Sequence, residues 1–204
     1  MTTTAASTTT PSRFRWRVVD IIVAAVIAVA CGVIFLGWNI ASDFVTDPLG
    51  AVLPGLTSLG YGIWLLAGPL AALIVRKPGA ALFAEVVAAS VSALLGAQWG
   101  LLTIQSGIVQ GLAAELVFAI FLYKVWSLPV AMLSGAAAGL AAGVNELIIY
   151  YPGIDAPFAI VYVLCYIVSG AVLAGLLGWL LTKALARTGA LNRFASGRAL
   201  AERV

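Results

Sequence analysis

The sequence predicts an all-α integral membrane protein, six transmembrane helices in one compact bundle with both termini cytoplasmic. Three observations predict it. Hydrophobic residues make up 63% of the 204-residue chain and charged ones only 9%, with a mean hydropathy of +1.10, which is too apolar for a soluble domain. The apolar residues fall into runs of roughly 20, the length a helix needs to cross a hydrocarbon core about 30 Å thick. All 11 basic residues fall at alternate ends of those runs, the side that the positive-inside rule assigns to the cytoplasm.

Residues 1–12, MTTTAASTTTPS, are rich in Thr and Ala and read as a disordered cytoplasmic tail. Residues 13–190 read as the membrane domain and 191–204 as a second cytoplasmic tail. Within the domain the spans are expected near Arg17–Ala41, Leu53–Val75, Pro78–Ala97, Gly100–Tyr123, Ser127–Tyr150 and Pro157–Leu185. Arg13, Arg15 and Arg17 precede an apolar stretch too long for a signal-peptide core, so the first run is read as a span. Between the first two spans, NIASDFVTDPLGAVLPG concentrates Pro, Gly and Asp, which predicts a turn-rich loop near 39–55, either a lid over the outer mouth or a plain connector.

Charge placement supports the count. Arg76 and Lys77 lie between spans two and three, Lys124 between four and five, and Lys183, Arg187, Arg193, Arg198 and Arg203 at the end; Asp43, Asp47 and Asp155 fall on the other side. The net charge of +3 therefore reflects topology beside anionic lipid, and no nucleic-acid partner is expected. Cys31 and Cys165 lie in apolar runs and count as small hydrophobes. The chain has no His, and no metal site, cofactor or catalytic constellation is expected, since acid–base and nucleophilic chemistry lack their usual groups.

Three carboxyl groups stand out. Glu85, Glu115 and Glu146 all lie inside expected spans with no basic residue in the hydrocarbon to pair with. An ionised carboxylate there is strongly penalised, so each must be protonated, hydrated or facing a cation from outside the protein. Either they bond between helices as neutral acids, or they line a polar cavity that receives a ligand. Polar stripes favour the cavity. Glu85, Ser92, Gly96 and Trp99 recur at helical spacing, as do Trp99, Thr103, Ser106 and Gln110. The fifth span carries Gly135, Gly139, Gly143, Glu146 and Tyr150 at the same rhythm, a pattern that also fits close helix packing.

Aromatic residues divide by depth. Trp16, Trp126 and Trp179 lie near the basic side and read as belt residues. Trp38, Tyr61, Trp64 and Trp99 lie deeper or toward the other side, where ring faces suit an organic cation or a flat heterocycle, although Trp38 and Trp99 taken alone fit an outer belt equally well. Asn39, Gln98, Gln110 and Asn145 are candidates for hydrogen bonds to such a ring.

The runs GYGIWLLAGPLAALIVRKPGAALFAEVVAA, ALLGAQWGLLTIQSGIVQGLAAELVFA and SGAVLAGLLGWLLTKALARTG resemble the substrate-capture subunits of energy-coupling factor (ECF) vitamin transporters, of the YkoE type associated with thiamine and its hydroxymethylpyrimidine precursor. RKPGAALFAE, residues 76–85, and GAQWG, residues 96–100, carry most of the likeness. The resemblance implies a non-catalytic subunit in a prokaryotic plasma membrane that binds its vitamin from outside, while a transmembrane coupling protein and cytoplasmic ATPases drive import. No GxxxxGK phosphate loop occurs in the chain itself. Ala24, Ala28 and Gly32 resemble the small-residue motif by which such subunits dock on the coupling protein, and their spacing admits close approach of another helix. The rival expectation is a proton-coupled secondary transporter of a small organic cation, which also needs intramembrane acids.

Overall fold

The computed structural model describes residues 14–197; the tail expected over 1–12 and the chain beyond 197 lie outside the described residues. The described residues form helices α1 (Val18–Val52), α2 (Leu56–Val75), α3 (Ala80–Leu94), α4 (Leu101–Ile120), α5 (Leu128–Tyr150) and α6 (Ala156–Arg187). Five of these are long and apolar enough to cross a membrane. The exception is α3, apolar but only 15 residues long, about 22 Å at 1.5 Å per residue.

Helix α2 is the centre of the bundle. Every residue from Ala67 to Val75 is buried, whereas the other spans bury about a third of their most apolar window. Around α2, α3 packs on α1 and α4, α4 on α5, and α5 on α6. The outer faces carry exposed Ile22, Val26, Val29 and Val33 on α1, Leu112 and Leu116 on α4, and Ile160, Leu164 and Val168 on α6. Such faces are stable only against lipid.

Two helices depart from α winding. The first half of α2, Leu56–Leu65, is a ten-residue 3₁₀ helix, and Gly170–Leu176 within α6 is wound as a π-helix. Both windings are uncommon at this length, and π-bulges tend to sit at functional sites. They face each other and α5 across a glycine-rich seam. A Cβ at Gly135 would overlap the Gly170 carbonyl, and one at Gly139 the Tyr166 carbonyl, so the α5 glycines serve packing, one of the two readings their spacing allowed.

Three expectations are corrected. The segment near 39–55 is not a loop: α1 runs through Pro48 to Val52, and only residues 53–55 break the chain. Proline removes one hydrogen bond and need not end a helix that tertiary packing holds. Here Ser42 and Thr46 are buried, and Gly60 and Gly50 admit the methyls of Thr46 and Thr57. Residues 191–197 are not a free tail: Leu191 and Phe194 are buried in the core formed by α1, α2 and α3, and Ser196 Oγ donates to the Ile74 carbonyl at 3.0 Å. The Ala24–Ala28–Gly32 stripe is not a free docking face. Ala24 and Ala28 are fully buried, and a Cβ at Gly32 would lie 2.7 Å from Val91 Cβ, so the stripe is used by α3 of the same chain.

The end of the bundle carrying the basic residues is tied together by aromatic contacts. Trp16 Nε1 donates to the Pro78 carbonyl at 2.9 Å, the Arg76 guanidinium lies 5.7 Å from the Trp126 ring, and Lys183 Nζ lies 3.7 Å from Trp179. The three tryptophans expected as belt residues thus lie among the basic side chains of this end.

Candidate functional site

Toward the opposite end, α1, α2, α3, α4, α5 and α6 enclose a cavity of about 340 Å³, within the size range of small-molecule sites. The 3₁₀ half of α2 supplies Tyr61 and Trp64, whose ring centroids lie 5.1 Å apart. Trp64 meets Trp99 edge to face at 5.5 Å and donates its Nε1 proton to Asn39 Oδ1 at 2.8 Å. Asn39 Nδ2 in turn donates to Ser92 Oγ at 3.3 Å. One polar relay therefore ties α1, α2 and α3 together on the cavity wall.

The lining includes three acids, Asp43, Glu85 and Glu146, and no Lys or Arg. Glu85 is 1% exposed. Its Oε2 accepts the Gly68 N–H at 2.6 Å, while Oε1 is buried with no hydrogen-bond partner among the described residues. Glu146 is held differently: one carboxylate oxygen accepts from the Tyr166 hydroxyl at 3.0 Å and the other from the Tyr162 hydroxyl. Gln110 is buried in the wall, and Thr103 Oγ1 is buried without a partner among the described residues. At the mouth, burial and the nearby Glu146 carboxylate raise the Tyr151 phenol above its ordinary pKa, so it stays a neutral hydroxyl.

Of the residues singled out from the sequence, Asn39, Tyr61, Trp64, Glu85, Trp99, Gln110, Glu146 and Tyr150 line the cavity. Four do not. Trp38 braces the fold, donating its Nε1 proton to the Gly60 carbonyl at 3.0 Å. Gln98 is exposed in the turn between α3 and α4. Asn145 pairs with Gln105 at 2.8 Å between α5 and α4. Glu115 accepts from the backbone N–H of Gly79 at 2.6 Å and of Ala81 at 2.8 Å, and from the Tyr123 hydroxyl at 2.8 Å. It caps the N-terminus of α3, where backbone donors lack partners and the helix dipole favours an anion. Glu115, a candidate for ligand contact on its sequence, thus stands outside the cavity.

The sequence reading missed Tyr162 and Tyr166, which lie four residues apart on one face of α6. Their spacing was visible, but nothing in the chain's order ties them to Glu146. Phe35, Ser42, Asp43 and Tyr151 also line the cavity, Ser42 and Asp43 because α1 continues past the point where a loop was expected.

A bundle of helices long and apolar enough to cross a membrane, with an acid-rich aromatic cavity among them, has the form of a solute-binding protein. Comparisons with known proteins agree. A crystal structure of an S-component of an ECF transporter matches with a TM-score of 0.85 at 36% identity, covering 93% of this chain and 95% of the other. Residues 19–141 match the family described as the permease component of ABC-type cobalt transport systems. A curated relative from Bacillus subtilis (strain 168), provisionally named HMP/thiamine permease protein YkoE, is 38% identical over 190 residues, 91% of this chain and 92% of the relative. The class is therefore the S component, the non-catalytic substrate-binding subunit of an ECF transporter. Within that class the chain belongs to the family of membrane permease components that includes YkoE.

Proposed function

We propose that this subunit captures thiamine or its hydroxymethylpyrimidine precursor from the outer side of a prokaryotic plasma membrane, for import driven by a transmembrane coupling protein and cytoplasmic ATPases. The carrying observation is the cavity lining: Asp43, Glu85 and Glu146 among the rings of Tyr61, Trp64, Trp99, Tyr162 and Tyr166, with no basic side chain. Thiamine joins a thiazolium cation to an aminopyrimidine. Aromatic faces and carboxylates attract the cation, while carboxyl and amide groups meet the ring nitrogens and exocyclic amine. A phosphorylated ligand fits poorly, because phosphate recognition needs Arg, Lys or aimed backbone donors. The name of the Bacillus subtilis relative supports the same ligand class.

Outer-side access follows from charge. With the basic end cytoplasmic, the Asp43, Trp99 and Tyr150 end of the cavity faces outward. The chemistry of the donor set gives the cobalt in the family description no support here, because the described residues contain no group of three or more His, Cys, Asp or Glu residues that could hold a metal ion.

Titration of the purified chain in detergent with thiamine and with hydroxymethylpyrimidine, followed by tryptophan emission, tests the reading, since Trp64 and Trp99 line the cavity. Saturable quenching by either compound supports it, and absence of binding by both defeats it. Uptake of an organic cation into vesicles containing this chain alone, driven by a proton gradient, would point instead to a secondary transporter.

A further inference from the structure

Tyr61 and Trp64 owe their pairing to an unusual backbone. In a 3₁₀ helix, residues three apart eclipse, whereas in an α-helix they would diverge by about 60°. Runs beyond three or four residues are uncommon because the hydrogen-bond geometry is poorer, yet this run spans ten residues. Something outside the segment must hold it.

The bonds to α6 identify what does. Leu59 C=O and Gly62 N–H are the pair that one 3₁₀ turn would join. The hydroxyl of Ser169 meets both: its Oγ donates to the Leu59 carbonyl at 2.6 Å and accepts the Gly62 N–H at 2.8 Å. Ser169 is 2% exposed and stands immediately before the π-wound stretch of α6. Its approach requires glycine opposite, since a Cβ at Gly62 would lie 2.7 Å from Ser169 Oγ. One turn earlier, Ser58 Oγ donates to the Tyr162 carbonyl at 2.7 Å, so α6 holds the segment at two successive levels. Neither Ser169 nor Ser58 lines the cavity.

We propose that Ser169 is a positioning residue for the binding cavity, its hydroxyl locking the 3₁₀ turn that sets Tyr61 and Trp64 side by side on the wall. Without the hydroxyl, Leu59 C=O and Gly62 N–H lose a buried partner, and the backbone relaxes toward α winding, in which each finds a new partner one residue further along. Trp64 then turns away from Tyr61. The same seam places Tyr162 and Tyr166, the donors to Glu146, on the helix that carries Ser169. Aromatic wall and carboxylate clamp are therefore registered to one another through α6.

The consequence for ligand affinity rests on the reading of the cavity as the vitamin site; the consequence for Trp64 does not. The test uses the full chain in detergent with 5-fluorotryptophan incorporated, the Trp64 fluorine resonance being assigned with Trp64→Phe. The control is Ser134→Ala, which deletes another fully buried hydroxyl, one that donates to the Ala114 carbonyl and lies outside the cavity lining. In ligand-free protein, Ser169→Ala moves the Trp64 resonance and leaves those of Trp126 and Trp179 in place. It also weakens thiamine binding about tenfold, and the loss shrinks to less than about threefold in a Tyr61→Ala background because the two changes act on one element. Ser134→Ala moves none of these. Ser169→Cys, nearly the same shape but a weaker hydrogen-bonder, gives a smaller shift in the same sense and serves if the alanine variant does not fold. An unmoved Trp64 resonance in both Ser169 variants, or an equal movement in Ser134→Ala, overturns the proposal. If the unaltered chain binds neither thiamine nor hydroxymethylpyrimidine, the vitamin reading fails, and the ligand-free resonances still decide the role of Ser169.

Discussion

Gly68 and Glu85, a residue of the cavity lining, are joined by a 2.6 Å hydrogen bond from backbone N–H to Oε2, and the other carboxyl oxygen, Oε1, is buried without a partner among the described residues. A buried polar oxygen held this way costs stability unless a partner arrives. Glu85→Gln keeps one oxygen for Gly68 and replaces the other by a donor. We expect thiamine affinity to fall at least about tenfold, with little change in thermal unfolding. Titration by tryptophan emission checks this, and unchanged affinity would remove Glu85 from the ligand's contacts.

Glu115 gives the opposite expectation. Its bonds go to Gly79, Ala81 and Tyr123, all inside the protein, and it does not line the cavity. Glu115→Ala strands the first donors of α3 and should destabilise the chain by about 2–4 kcal/mol while changing thiamine affinity less than about twofold. Thermal unfolding in detergent and the same titration separate the two effects. A large loss of affinity at intact stability would return Glu115 to the site.

Composition and periodicity made most of the fold legible. Each expected span has a helix, five of them long and apolar enough to cross a membrane, because unbroken apolar runs in lipid have no alternative to intrahelical hydrogen bonding. What stayed hidden is what depends on contacts between distant segments. Pro48 reads as a breaker, yet the packing of Thr46 against Gly60 carries α1 through it. Ala24, Ala28 and Gly32 read as an outward docking face, although small residues serve equally for a neighbour in the same chain. The acids at 85, 115 and 146 look alike in sequence. One lines the cavity and buries an oxygen that has no partner among the described residues, one caps a helix, and one is clamped by Tyr162 and Tyr166, which lie 16 and 20 residues away. Helical periodicity relates residues within a segment and is silent on which helix lies opposite.

The tyrosine clamp on Glu146 is testable through ligand charge. Tyr162→Phe and Tyr166→Phe each retain the ring and remove one O–H donor from the carboxylate. With its donors gone, the buried acid offers less to a cation. Each variant should weaken cationic thiamine by about 3–10-fold and neutral hydroxymethylpyrimidine by less. The double variant should fall short of the product of the single effects, because both hydroxyls serve one group. Equal losses for the two ligands would mean that the hydroxyls shape the cavity without holding a charge for the ligand.

The small-residue stripe on α1 offers a final discrimination. A Cβ at Gly32 would lie 2.7 Å from Val91 Cβ and 2.8 Å from the Ala88 carbonyl, so Gly32→Ala must push α1 and α3 apart. Overpacking of this kind costs about 1–3 kcal/mol. Val33, the next residue, is exposed and faces lipid, so Val33→Ala should stay within about 0.5 kcal/mol of the unaltered chain. Thermal unfolding of the isolated subunit distinguishes internal packing from external docking. Packing against α3 predicts that Gly32→Ala lowers the melting temperature before any partner is present. A docking face would leave the isolated subunit untouched and weaken only its complex with the coupling protein.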